Sequence, residues 1–207
     1  AANWEGYEDI HQMCLNAPKF GNDDDLVDGI HAYITEQSQA ILQKRPDPFT
    51  GLKPFLYKGA AAGHIIHGKV VEALPNGRKA FIPLNDSGVS AMPGMDVNGP
   101  SAVIKSASKY ASGWESAGCV LNMKFPVHLL ETREKLEAVL KLTKEFFARG
   151  GWHIQFNILD PEELKQAKIH PEEYSHIVVR ISGFCAYFVD LPDSLQDEII
   201  GRTLHQV

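Results

Sequence analysis

The sequence predicts an α/β fold, in which strands and helices alternate along the chain. Three consecutive segments carry this prediction. Residues 120–125 form a short apolar run typical of a buried strand, residues 129–149 repeat apolar side chains with a helical period, and residues 152–159 alternate large and polar side chains as a half-buried strand does. A chain of 207 residues, 44% of them hydrophobic, is long enough to bury a sizeable core.

The other elements follow from helix and turn signals. Helices are predicted over residues 26–42, from residue 101 to 110, from Asp160 onward and over 193–205, and a strand is predicted over 176–181. Residues 182–186 are predicted to form a glycine-containing turn between that strand and the last helix. The acidic residues 23–25 suit the positive end of a helix dipole, which favours a solvated cap over a metal site.

Residues 86–100 are rich in glycine and proline and show no periodicity of their own. We expect them to form a long loop that is ordered by its neighbours. Long irregular loops often line functional sites, and Asp86 and Ser90 lie within this one.

Composition excludes several classes of function. The 20 Lys and Arg residues are outnumbered by 26 Asp and Glu residues, giving a net charge of −6 without a basic block, so nucleic acid is not an expected partner. The sequence has no apolar run long enough to span a membrane and no signal-peptide pattern at its start, which predicts a cytoplasmic protein. Cys14, Cys119 and Cys185 are too few for a disulfide framework and fit a reducing compartment.

Two blocks of sequence resemble the glycyl radical enzyme superfamily. Residues 178–191 read VVRISGFCAYFVDL, close to the family signature R-V-x-G-[FY]-x-x-x-F. The second block is APKFGNDDD at residues 17–25, followed by NGRK at 76–79 and NGPSAV at 98–103. The blocks are similar to the pyruvate formate-lyase-like branch with its dehydratases, decarboxylases and X-succinate synthases, and they occur in the order of the family's C-terminal portion.

The resemblance implies a particular fold. Family members are ten-stranded α/β barrels made of two antiparallel five-stranded halves. Residues 1–150 would belong to the later half of this barrel, and residues 151–207 would form the C-terminal glycyl radical domain.

The resemblance also implies that Gly183 carries the radical. Loss of a Cα hydrogen leaves a radical that flattens between the flanking amide and carbonyl groups, and a Cβ would crowd that plane. On spacing alone, Gly183 would instead supply a positive φ in a turn. Support for the loop is expected from Arg180, Ser182, Phe184 and Cys185, with Arg180 binding a carboxylate or backbone carbonyls and Cys185 filling the loop or acting as a relay.

No cofactor is expected to be bound. In this family the radical is installed by a radical-SAM activating enzyme that uses a [4Fe-4S] cluster and S-adenosylmethionine. The radical then passes to a cysteine on a second loop, far before the glycine, which we expect on a separate N-terminal chain or a missing segment. Cys119 and Cys14 are expected to be buried apolar thiols. His64, His67 and His153 are candidates for substrate contact, although core or surface positions are commoner for histidine.

The implied function is that of an oxygen-sensitive, anaerobic lyase acting on a C–C or C–O bond of a small molecule, as a dehydratase, a decarboxylase or a fumarate-adding enzyme. Its expected partners are the cysteine-bearing chain, the activating enzyme and further copies of the complete enzyme. Three alternatives stay open. These are a spare-part protein that repairs an oxygen-damaged parent enzyme, a pyruvate formate-lyase-type acyltransferase, and an inactive structural relative.

Overall fold

The computed structural model describes residues 2–58, 63–109, 116–125, 127, 131–181 and 184–201. Within these residues helices and strands alternate along the second half of the chain, as predicted. In chain order the elements are α1 (Glu8–Asn16), α2 (Asp25–Gln43), β1 (Leu56–Lys58), α3 (Gly63–Gly68), α4 (Pro100–Ser108), β2 (Ser116–Phe125), α5 (Arg133–Ala148), β3 (His153–Ile158), α6 (Pro161–Ile169), β4 (Val178–Ile181), β5 (Phe184–Tyr187) and α7 (Asp193–Gly201).

Most predicted elements are confirmed within one or two residues, but the starts of β2 and α5 are not, since β2 begins at Ser116, four residues before the predicted strand. Residues 131 and 132 precede the helix, because the side chain of Thr132 accepts a hydrogen bond from the backbone N–H of Lys135 and caps it. Residues 110, 129, 130 and 202–205 of the predicted helices lie outside the described residues. Helices α1 and α3 and strand β1 were not predicted.

The predicted turn over residues 182–186 is wrong for most of its length. Phe184–Tyr187 form strand β5, which pairs antiparallel with β4. The chain therefore turns from strand to strand at this point and not from strand to helix. A separate sheet joins β1, β2 and β3, all parallel, in that order.

One apolar core packs helices α4 and α5 against β2. Strand β2 contributes Leu121, Met123 and Phe125, each at most 1% exposed, and Phe146 of α5 is fully buried among them. The partly buried apolar side chains of β3 pack against the same core. Alternation along a strand then directs the intervening residues of β2 and β3 to the opposite face of the sheet.

A second apolar core lies under the C-terminal elements. Its buried members come from Leu159, α6, the segment before β4, β4, the 3-10 turn Phe188–Asp190 and α7, together with Ile65 of α3. The proposed domain boundary at residue 150 stays a prediction. Strand β3 follows this boundary in the chain, but it pairs with β2, which precedes the boundary.

The acidic segment before α2 caps that helix, as predicted. The Asp24 carboxylate accepts hydrogen bonds from the backbone N–H groups of Leu26 and Val27. The Lys109 ammonium lies 2.8 Å from both Asp23 and Asp25, and the Asp25 side chain is 90% exposed, so only Asp23 is less solvated than expected. Burial alone would lower the pKa of Lys109, but hydrogen bonds to these carboxylates outweigh it and raise the pKa.

Candidate functional site

The β4–β5 hairpin presents the segment to which the sequence assigns the radical. Ile181 pairs with Phe184 across the hairpin, so that Ser182 and Gly183 alone connect the two strands. Both residues, and the side chain of Phe184, lie outside the described residues. Their roles therefore stay predictions.

Arg180 and Cys185 face each other across the same hairpin and are both exposed. Cys185 lies in β5, on the side of the hairpin away from the core, and its role as a loop-filling side chain or a relay stays a prediction. Arg180 has an interaction partner in the structure. Its role in holding the loop stays a prediction.

The hairpin is anchored by the second apolar core. Val179 and Ile181 are 1% and 0% exposed and pack with Ile199 of α7. Immediately after β5, the backbone N–H of Phe188 donates to the carbonyl of Ile177, and Gln196 Nε2 donates to the carbonyl of Phe188 at 2.9 Å. Helix α7 and the hairpin thus share both apolar packing and buried hydrogen bonds.

Four polar side chains occupy the face of the β2–β3 pair that is turned away from the first core. Asn122 and Lys124 of β2 lie in register with Gln155 and Asn157 of β3. All four are at most 9% exposed. The alternation in residues 152–159 predicted a half-buried strand. In the structure the polar residues Gln155 and Asn157 are buried, whereas the apolar residues of β3 are only partly buried.

These four residues were missed by the sequence analysis. The available signal was a polar residue at every second position of two otherwise apolar strands. A strand that is covered on both faces and still carries polar side chains on one of them is typical of a sheet lining a functional site.

The loop at residues 86–90 packs against β2, which confirms that its neighbours order it. Ser87 Oγ donates to the carbonyl of Val120 at 2.6 Å, and Ser90 Oγ accepts from the backbone N–H of Asn122 at 3.1 Å. Asp86, in the same loop, accepts from Asn122 Nδ2 through its backbone carbonyl.

A small pocket lies where this loop meets the polar face. Its volume of about 30 Å³ suits a single water molecule. Asn122 Oδ1 is buried without a hydrogen-bond partner, which a polar molecule in the pocket would satisfy. The lining side chains that carry polar atoms are Asp86, Ser90, Asp96, Asn122, Lys124 and Asn157.

Cys119 belongs to the first apolar core and is 7% exposed, as predicted. Burial raises the pKa of its thiol, although the backbone of Trp152 and the charge of Lys58 oppose this rise. The thiol is thereby kept protonated. Cys14 is half-buried on α1, a helix with no buried residue, so its assignment to a core is wrong.

The three candidate histidines are separated by the fold. His64 is buried on α3 with its Nε2 3.3 Å from Glu198 Oε1, close enough for an ion pair but not aligned as a hydrogen bond. His67 is exposed and His153 is half-buried at the start of β3. They do not form a common site.

Two protein families match this chain. The glycine radical family matches residues 85–189, just over half of the chain, and the pyruvate formate lyase-like family matches residues 1–57. The chain belongs to the glycine radical family. No helix in the described part of the chain is long and apolar enough to span a membrane.

Named relatives carry out different reactions. The chain is 40% identical over 207 residues to the isethionate sulfite-lyase of Nitratidesulfovibrio vulgaris, covering 99% of this chain and 25% of the relative. It is 38% identical over 197 residues to the indoleacetate decarboxylase of Tractidigestivibacter scatoligenes, covering 95% of this chain and 22% of the relative.

The solved structure of the glycerol-bound B12-independent glycerol dehydratase from Clostridium butyricum superposes with a TM-score of 0.92 at 34% identity. The match covers 99% of this chain and 26% of that one. The predicted fold is thereby confirmed as the later half of the α/β barrel of this family with its C-terminal glycyl radical domain. The chain spans about a quarter of the length of the relatives it matches.

Proposed function

We propose that this chain is the radical-storing C-terminal part of a glycyl radical lyase, and that Gly183 carries the radical. One observation carries the proposal. The region that matches the glycine radical family contains the hairpin whose two-residue connection includes Gly183.

Storage of the radical requires loss of one hydrogen atom from Cα of Gly183, which leaves one unpaired electron shared with the flanking peptide groups. A glycine can flatten for this purpose because it has no Cβ. The proposed source of the radical is a radical-SAM activating enzyme. Arg180, Ser182, Phe184 and Cys185 are proposed to support the loop around Gly183.

The cysteine that receives the radical is proposed to lie outside these 207 residues, on a separate chain or in a missing segment of the same protein. The described cysteines support this assignment. Cys119 belongs to the apolar core behind β2, on the face opposite to Asn122 and Lys124. Cys185 is an exposed neighbour of the glycine and Cys14 lies on α1.

A lyase is favoured over the alternative activities because the relatives are named as a sulfite-lyase, a decarboxylase and a dehydratase. A spare-part protein needs little beyond the glycyl radical domain. The match of residues 1–57 to the pyruvate formate lyase-like family and the β1–β2–β3 sheet favour a true portion of the barrel.

The test is activation under anaerobic conditions. The chain is incubated with its cysteine-bearing partner, a matched activating enzyme, a reductant and S-adenosylmethionine, and an EPR spectrum is recorded before air is admitted. We expect a glycyl doublet, followed in air by cleavage that removes the residues after Ser182. Gly183→Ala should abolish both the signal and the cleavage.

Gly201→Ala is the matched control, since Gly201 is exposed in the same part of the fold and a Cβ there meets no atom within 4 Å. This variant should keep the doublet. Absence of a signal and of cleavage, with an activating enzyme that is competent on another glycyl radical protein, would overturn the assignment of Gly183.

A further inference from the structure

The described chain packs into two bodies, each with an apolar core. The first core draws its members from residues 89–158, and the second from residues 159–200 together with Ile65. We call residues 159–201 the C-terminal unit. It contains both strands of the hairpin and helix α7, so whatever holds this unit in place also positions Gly183.

A buried lysine of the first body reaches the C-terminal unit. Lys124 of β2 is 2% exposed, and its Nζ donates to the carbonyl of Ile199 at 3.0 Å and to that of Ile200 at 3.2 Å. These carbonyls belong to the last turn of α7. Carbonyls at a helix C-terminus lack intrahelical partners, and the helix dipole favours a cation there.

A second polar contact lies next to the first. Glu198, one residue before Ile199 on α7, lies 3.3 Å from His64 of α3, and the two side chains are 3% and 1% exposed. Ile65, the neighbour of His64, is buried in the second core, so α3 packs with the C-terminal unit. The Lys124 contact therefore joins the first body to the end of α7, whereas the His64 contact joins α7 to a helix that shares its core.

Polar contacts separate more readily than a continuous apolar core, because each group can be resolvated by water when the surfaces part. Within the C-terminal unit, by contrast, α7 is joined to the hairpin through the core that contains Val179, Ile181 and Ile199. Displacement of α7 would accordingly move the hairpin with it as one body.

We propose that Lys124 is a positioning residue, which holds the C-terminal unit against the polar face of the sheet by binding the last turn of α7. This inference rests on the proposed function for its chemical meaning, since Gly183 is positioned by the same contact. Loss of the ammonium group should release the unit without unfolding it.

The test uses Lys124→Met, which keeps the length of the side chain and removes its charge and donors. Lys165→Met is the matched control, because Lys165 is half exposed on α6 of the same unit and binds only a surface carboxylate, Glu162, among the described contacts. Spin labels are placed on the exposed native Cys185 and on Lys141→Cys of α5, in a Cys14→Ser background.

Pulsed EPR distances between the two labels report the position of the unit. We expect a single distance for the parent chain and for Lys165→Met, and an additional longer distance in at least about a tenth of Lys124→Met molecules. An unchanged distribution in Lys124→Met would overturn the proposal.

Hydrogen exchange separates positioning from a purely structural role. The amides of Leu164, Val179 and Phe188 should keep their protection within about threefold in Lys124→Met, since the core of the unit stays intact. Loss of this protection would mean that Lys124 supports folding and would also overturn the proposal. Neither measurement requires a glycyl radical at Gly183, so failure of this inference can be distinguished from failure of the assignment of Gly183.

Discussion

Asn22 and Asn98 bind each other's backbone. The backbone N–H of Asn98 donates to Asn22 Oδ1 at 3.0 Å, and Asn98 Nδ2 donates to the backbone carbonyl of Asn22 at 3.1 Å. Asn22 Oδ1 also accepts from the N–H of Val97, and its Nδ2 donates to the carbonyl of Met95. Two sequence blocks that are far apart in the chain, 17–25 and 98–103, are thus joined through the side-chain amides of Asn22 and Asn98.

Asn22→Ala should lower the free energy of unfolding by about 2 kcal/mol, because several backbone groups of residues 95–98 lose their partner at once. Urea unfolding measures this change. Asn16→Ala serves as the control, since Asn16 is exposed and binds only Gln12 among the described contacts. Equal effects of the two substitutions would contradict the role of Asn22.

Arg78 is 2% exposed, and its guanidinium is surrounded by backbone carbonyls. The acceptors are the carbonyls of Gly68, Val71, Glu72, Ile82 and Pro83. Arg78→Met should destabilise the chain by at least about 3 kcal/mol, because each of these carbonyls would lose the donor that the guanidinium supplies.

Arg78→Lys should cost less than Arg78→Met, since an ammonium offers three donors, but it should not restore full stability because it lacks the planar fork of guanidinium. Chemical unfolding of both variants checks this order. Arg133→Met, at an exposed i,i+4 ion pair, should change stability by no more than about 0.5 kcal/mol. A reversed order for the two Arg78 variants would contradict this account.

Gly88 allows the loop at residues 86–90 to lie against β1. A Cβ at this position would come within 2.0 Å of the backbone oxygen of Lys58. Gly88→Ala should therefore destabilise the fold by about 2 kcal/mol or more, since one of the two backbone segments must move. Thermal unfolding tests this expectation, and Gly201→Ala, which meets open space, should leave the midpoint nearly unchanged.

Stability in acid should depend on Asp23. Hydrogen bonds from Lys109 and then Lys105 hold the pKa of this carboxyl below its usual value. A lowered folded-state pKa stabilises the fold above the unfolded-state pKa, near 3.9, and the contribution is lost as the pH falls through the folded value. The pKa of Lys109 is raised, so Lys109 stays charged in acid and its own contribution to stability is lost only at alkaline pH.

Asp23→Asn should accordingly flatten the decline in unfolding free energy below about pH 4. Urea unfolding at a series of pH values gives this slope. Asp9→Asn, on the exposed α1, is the control and should keep the slope of the parent chain. A parent-like slope in Asp23→Asn would exclude a role for the Lys109 contact.

Long periodic segments were predictable because their signals are local. Helix α5 and strand β3 each follow from the spacing of apolar residues and from turn residues at their ends. Strand β5 was not predictable in this way. Its pairing with β4 depends on burial of Val179 and Ile181 against α7, which residues 182–186 do not encode by themselves.

By itself, the sequence determined the α/β alternation, the resemblance that singles out Gly183, and the burial of Cys119. These follow from residue order and from local periodicity. Only the tertiary structure decided that Asn122, Lys124, Gln155 and Asn157 form one buried polar face and that Lys124 reaches the end of α7. The physical reason is that a strand's pattern specifies which residues share a face, whereas the packing of distant segments determines what covers that face.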